Sequence, residues 1–335
     1  GDTLIDSFTT DENGHVTGGP IYYIRAAFRG GFGKFLAGFF SVAIILALGF
    51  MGNMVQSNSI SDAFHTAFGT PKIAVGLAVA AVAAFIFLGG VQRIASFTEK
   101  IVPIMAVFYI IGCLVILCIN HATLWSAVKS IFICAFDPQA IFGGVAGSCM
   151  MYGIKRGLFS NEAGVGSAPN AAASADVSHP VKQGLGQMLS VFIDTLLLCT
   201  ATAFMCMCSG VTPAADLAGA PYVQAALSAT FGSIGPVFIA VAMLLFAFTT
   251  LLGNFYYIEN CFAYILKKKP SKVFMNTVRV VGAVLIFLGA VVSFGFAWDM
   301  ADICQCMLAF INIPSCVLLG GVAYRALDDY TAQKK

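Results

Sequence analysis

Residues 156–175 read RGLFSNEAGVGSAPNAAASA. An arginine, two asparagines, a glutamate, three glycines and a proline stand beside a run of alanines, in a chain of 335 residues that is 59% apolar. Only 10% of the residues are charged and the mean hydropathy is +0.88. A soluble domain carries roughly a quarter charged residues, so the composition is that of an integral membrane protein. Backbone-breaking polar sequence is not tolerated against lipid; at membrane depth it survives only where protein or a water-lined cavity satisfies its peptide groups. Gly157, Gly164 and Gly166 weaken helical order, Pro169 removes a donor, and Ser160 and Asn161 bond readily to nearby backbone. The stretch therefore predicts a discontinuous helix. Its half-helix ends carry opposite partial charges suited to a carboxylate and a cation, and its freed carbonyls suit sodium.

Outward from the break, apolar runs long enough to cross roughly 30 Å of hydrocarbon lie near 35–56, 73–91, 101–119, 185–208, 234–258, 278–298 and 303–323. The broken element, 139–176, makes an eighth. With the segment before the first run taken as cytoplasmic, fourteen Lys and Arg fall inside (among them Arg25, Arg29, Lys34, Arg93, Lys100, Lys267, Lys268 and Lys269) and only Lys72 and Lys129 outside. That asymmetry fits eight crossings with both ends of the chain inside. The net charge of +2 points to no nucleic-acid partner. The eleven cysteines include no C-x-x-C pair and read as small apolar helix residues, not ligands.

A repeat is written in the register. IFLGGV at 86–91 returns as IFLGAV at 286–291, and Gly52-Asn53 returns as Gly253-Asn254. The pairing joins runs one, two and three to runs six, seven and eight, which cross in opposite directions. An inverted repeat of this kind is common in secondary transporters. It leaves two runs without mates, so the chain reads as a ten-helix, five-plus-five protein lacking its first two helices; a plain eight-helix bundle is the alternative.

Several motifs resemble the alanine or glycine:cation symporters (sodium:alanine symporters): GGPIYYI at 18–24, GNMVQSNSI at 52–60, RIASFTEKIVP at 93–103, RGLFSNEAGVGSAP at 156–169, FIDTLLLCTATA at 192–203, FAFTTLLGNFYYIEN at 246–260 and GAVVSFGFAW at 289–298. The resemblance implies an all-α, LeuT-like fold of inverted five-helix repeats, with 34–120 as helices three to five, 139–323 as helices six to ten, and 1–33 as a cytoplasmic loop of a single transmembrane domain. It implies sodium-coupled uptake of alanine or glycine at the cell membrane, with sodium as coupling ion and no organic cofactor. Two departures stand out: helices one and two are absent, and Gly147–Lys155 is about one helical turn shorter than the family pattern.

Within that frame the expected substrate contacts are Asn53 and Gln56, three apart on one helix face, and Phe159, Ser160, Asn161 and Gly164 at the break. Thr249 and Thr250 are the sodium candidates that the resemblance implies. Arg156 and Glu162 are further functional candidates, with pairing to each other at a membrane edge as the structural alternative. Asp194, a lone intramembrane acid, calls for a partner that the sequence does not name. Gly18, Gly19 and Pro20 before Tyr22 and Tyr23 read as a turn with interfacial anchoring. No paired carboxylates, Ser/His set or metal-ligand spacing marks an enzyme, and no filter motif marks a channel; a proton-coupled carrier and an inactive truncated remnant remain alternatives.

Overall fold

In the computed structural model, residues 9–10, 16–88, 91–137, 144–162, 164–173, 175–214, 217–267 and 270–333 are described. Most of the opening polar segment, the start of the broken element at 139–143, Gly89-Gly90 of the first repeat motif and Lys268-Lys269 lie outside the described residues. Apart from a two-residue antiparallel pair, Thr9–Thr10 with Val16–Thr17, the regular structure is helical.

Six of the described helical stretches are long and apolar enough to span a membrane: Gly31–Phe68, Ser96–Ile119 within the helix Val91–Ile119, Pro180–Cys208, Ile234–Leu266, Lys272–Val291 and Phe294–Leu318. Lys72–Leu88 is apolar too but has 17 residues. The outer faces carry exposed Phe35, Leu77, Phe85, Ile104, Leu196 and Phe310, a surface that hydrocarbon accepts and water does not. Two further helices, His121–Ala135 and Ala220–Phe231, lie between the spans.

The first span is one continuous 38-residue stretch. Gly31–Ile44 is α-helical, Ile45–Gly52 widens to π-type turns, and Asn53–Phe68 resumes as α-helix before ending at left-handed Gly69. It packs along Ile234–Leu266. A Cβ on Gly49 would collide with Ile258, while Asn53 accepts a hydrogen bond from Asn254 Nδ2 at 3.1 Å. Four residues forward on one helix is four residues back on the other, so the two run antiparallel. Likewise Lys72–Leu88 packs on Lys272–Val291 with Gly76, near the start of one, against Ala290, near the end of the other. Two of the three helix pairs that the matching motifs join are thus packing partners in opposite directions, and Asn53 and Asn254 bond to each other. Between these pairs sits the main core, with Phe40, Ile44, Phe87, Leu251, Phe255, Ile286 and Leu308 buried and Phe87 stacked on Phe255 at 4.1 Å between centroids.

Two expectations are corrected. The apolar run 278–298 is not one helix: Lys272–Val291 ends, Val292 and Ser293 are extended, and a new helix starts at Phe294. Hydropathy cannot see this corner because its residues are apolar on both sides. It is held from outside, by Asn58 Nδ2 donating to the carbonyls of Gly289 (3.0 Å) and Val292 (2.8 Å) and Ser61 Oγ donating to Ala290 (2.8 Å), which satisfies carbonyls that a helix end leaves open. Second, Gly18-Gly19-Pro20 makes the expected turn into a helix, but Tyr23 is a core residue and not an interfacial anchor. Pro20–Ala27 is a helix whose Ile21, Tyr23 and Ile24 are buried in the main core.

Candidate substrate and sodium site

The expected break is present. The helix Gly144–Ser160 ends, and helix resumes only for the five residues Ala168–Ala172 with Pro169 in its first turn. Between them Glu162, Gly164 and Gly166 have φ of 48°, 79° and 86°. A side chain is strained there, so glycine at 164 and 166 lets the chain turn twice without Cβ clashes. Ser167 Oγ donates to Glu162 Oε2, closing the turn on itself. An open cleft of about 910 Å³ lies beside it, with Asn161, Glu162, Gly164, Thr195 and Asn312 in its wall.

The two residues that end the first half-helix are held by the neighbouring span. Ser160 Oγ donates to Asp194 Oδ2 at 3.0 Å and Thr195 Oγ1 donates to Asn161 Oδ1 at 2.7 Å. Asp194 and Thr195 open a π-type segment, Ile193–Cys199, between the α-helices Pro180–Phe192 and Thr200–Cys208. The partner that Asp194 needed is therefore Ser160.

Arg156 does not pair with Glu162. Its Nη2 donates to Asp302 Oδ2 at 2.7 Å, Lys155 Nζ lies 3.7 Å from the same oxygen, and the guanidinium covers the Trp298 ring at 4.0 Å. Glu162 follows the helix end and turns away with the positive-φ backbone, whereas Arg156 is still on the helix facing Phe294–Leu318. Phe159 meets the same Trp298 ring, 4.7 Å between centroids, in an apolar cluster with Met51, Val55, Ala297 and Ala301.

Neighbours of the first-span candidates reach the break. Met51 and Val55 share the cluster of Phe159. Asn53 is fully buried with its amide committed to Gly49 O (2.9 Å) and Asn254. Gln56 is half-buried and its amide makes no hydrogen bond among the described residues. Thr249 is buried, its Oγ1 bonded back to Leu245 O and Phe246 O at 3.0 and 2.9 Å; Thr250 is exposed and bonds back to Phe246 O at 3.0 Å. Both hydroxyl oxygens keep lone pairs for a cation.

Sequence reasoning missed Asp302, Thr195 and Asn312, and found Asn254 only as the match of Asn53 in the repeat. Asn312 was legible in kind, as a polar residue inside an apolar run, and Asp302 as an acid at the edge of that run, but nothing in their spacing pointed to the break.

The profile of the sodium:alanine symporter family matches residues 3–335. The chain belongs to that family. Relatives include the amino-acid carrier protein AlsT of Bacillus subtilis, 40% identical over 99% of this chain and 70% of the relative. The probable sodium/glutamine symporter GlnT of the same organism is 41% identical over 99% of this chain and 68% of the relative. The sodium/alanine symporter AgcS of Methanococcus maripaludis is 38% identical over 94% and 69%. The protein is therefore a multi-pass membrane transporter of the symporter class and not an enzyme.

Proposed function

We propose that the protein carries a small neutral amino acid, alanine or glycine, into the cell together with sodium. The observation that carries the reading is the break at 161–167: polar, left-handed backbone held between two spans, beside an open cleft, in a chain of a sodium:alanine symporter family. The fold that best accommodates it is the LeuT-like inverted repeat, with 34–120 as helices three to five, 139–323 as helices six to ten and 1–33 on the cytoplasmic side. Antiparallel packing of the repeat-related helices supports that assignment.

In this reading Phe159, Ser160, Asn161 and Gly164 form the break's contribution to the amino-acid site, with Asn53 and Gln56 from the first span. Gln56 offers the uncommitted amide, whereas Asn53 reaches a substrate only if its bond to Asn254 yields. Thr249 and Thr250 offer hydroxyl oxygens to sodium. Arg156, Glu162 and Asp194 hold the shape of the broken element. Coupling requires that sodium and substrate stabilise the same closed arrangement.

The test is uptake of labelled alanine, glycine and glutamine into vesicles of cells producing the protein, with and without an inward sodium gradient. Sodium-driven alanine or glycine uptake is expected. Uptake that follows a proton gradient and ignores sodium rejects the coupling ion, and glutamine preferred over both small amino acids rejects the substrate class.

A further inference from the structure

The helix Pro20–Ala27 adds Tyr23 to the wall of the cleft, and through it reaches the break. Tyr23 Oη donates to Asn312 Oδ1 at 2.5 Å, and Nδ2 of the same amide donates to the carbonyl of Gly164 at 3.0 Å. Tyr23 and Asn312 are 2% and 3% exposed, so water does not take over these bonds. Gly164 has left-handed backbone and its carbonyl has left the helical ladder; half-buried at the wall of the cleft, it takes its hydrogen bond from the Asn312 amide. An amide is suited to this place because it accepts from one neighbour while donating to the other. The approach is close on all sides: a Cβ on Gly166 would lie 3.0 Å from Pro20 Cγ and from the Asn312 amide.

The same helix holds the broken element at a second point. Asp302, which binds Arg156 before the break, precedes Asn312 by ten residues, about 15 Å along the helix. Phe294–Leu318 thus grips the broken element on both sides of its turn, by an ion pair at one end and by neutral hydrogen bonds at the other.

We propose that Asn312 is a positioning residue for transport: with Tyr23 it fixes the Gly164 carbonyl and so the far end of the break, on the side of the membrane where Pro20–Ala27 lies. This rests on the reading of the break as the substrate-bearing element. A neutral bond biases a two-state equilibrium by only a few-fold, so this junction is the one that yields when the break moves, while the ion pair holds.

The molecule contains a reporter. Cys316 Sγ lies 3.8 Å from Asn312 Oδ1 and 4.0 Å from Tyr23 Oη and is half-buried, whereas Cys261 in the core is fully buried. In vesicles, N-ethylmaleimide labelling of each cysteine is followed by peptide mass spectrometry for the wild type, Tyr23→Phe and Asn312→Asp. Tyr23→Phe keeps the ring and deletes one donor. It is expected to speed Cys316 labelling about fivefold, leave Cys261 unlabelled, and raise the half-saturating alanine concentration by a similar factor at equal protein level. Asn312→Asp, which loses the donor to Gly164, has the larger effect on both. Unchanged Cys316 labelling in both variants overturns the proposal, and so does a matching rise at Cys261, which reports general loosening. If the wild type takes up no alanine, the functional reading falls, while the labelling comparison still decides the junction.

Discussion

Removing the Asp302 carboxylate tests the ion pair that replaced the expected one. In Asp302→Ala, Arg156 loses its 2.7 Å partner and Lys155 its 3.7 Å one. The Asp302 side chain is only 12% exposed, but that of Arg156 is 36% exposed. A fully buried pair broken on one side costs about 3–5 kcal/mol. Solvent access to Arg156, and the Trp298 ring that continues to cover it, bring this one down to about 2 kcal/mol. At roughly 2 °C per kcal/mol for a protein of this size, the thermal midpoint of the detergent-solubilised protein is expected to fall by about 4 °C. Asp302→Asn keeps an acceptor of the same shape and should lose about half as much. The double variant Arg156→Gln with Asp302→Asn should lose less than the sum of its singles, with a coupling of about 1 kcal/mol. Arg156→Gln with Glu162→Gln should be additive, because Glu162 bonds to Ser167 instead. An unshifted midpoint in Asp302→Ala, or coupling of Arg156 to Glu162 and not to Asp302, refutes this reasoning.

Asn254→Ala strips the buried Asn53 oxygen of its donor and should cost about 1 kcal/mol, the usual range for an interhelical bond in a membrane; strictly additive midpoints of Asn53→Ala and Asn254→Ala would show that the pair is not coupled. Asn58→Leu unpairs the Gly289 and Val292 carbonyls at the corner before Phe294, and a fall of about 2–4 kcal/mol is expected in chemical unfolding, with no change rejecting the cap. Thr249→Ala should raise the sodium concentration for half-maximal uptake more than Thr250→Ala, because only Thr249 is buried; unshifted sodium curves in both remove Ile234–Leu266 from the ion site.

The composition and the apolar runs made a multi-pass helical protein legible, since a span must present about 20 apolar residues whatever its neighbours. The break was legible for a similar reason. Gly164, Gly166 and Pro169 act on backbone conformation locally, and the helix stops at Ser160 as their sequence demands. The matching motifs singled out Asn53 and Asn254 together, while that the two side chains meet came from the packing of their helices.

Partnership was not legible in the same way. Arg156 and Glu162 are near in sequence, but a left-handed turn separates them, and the charge is met by Asp302 from a span 146 residues away. Asp194 demanded a partner by its chemistry, yet the identity of Ser160 followed from how Pro180–Cys208 lies against the break. The corner at Val292-Ser293 is apolar on both sides and is stabilised by Asn58 and Ser61 of the first span. Sequence by itself determined the class, the place of the break and the apolar runs other than 278–298, because those depend on hydropathy and local backbone preference. Only the tertiary structure decided which polar groups meet, because a hydrogen bond or ion pair inside a membrane is set by which helix faces are brought together, and helix packing brings together residues that no spacing along the chain relates.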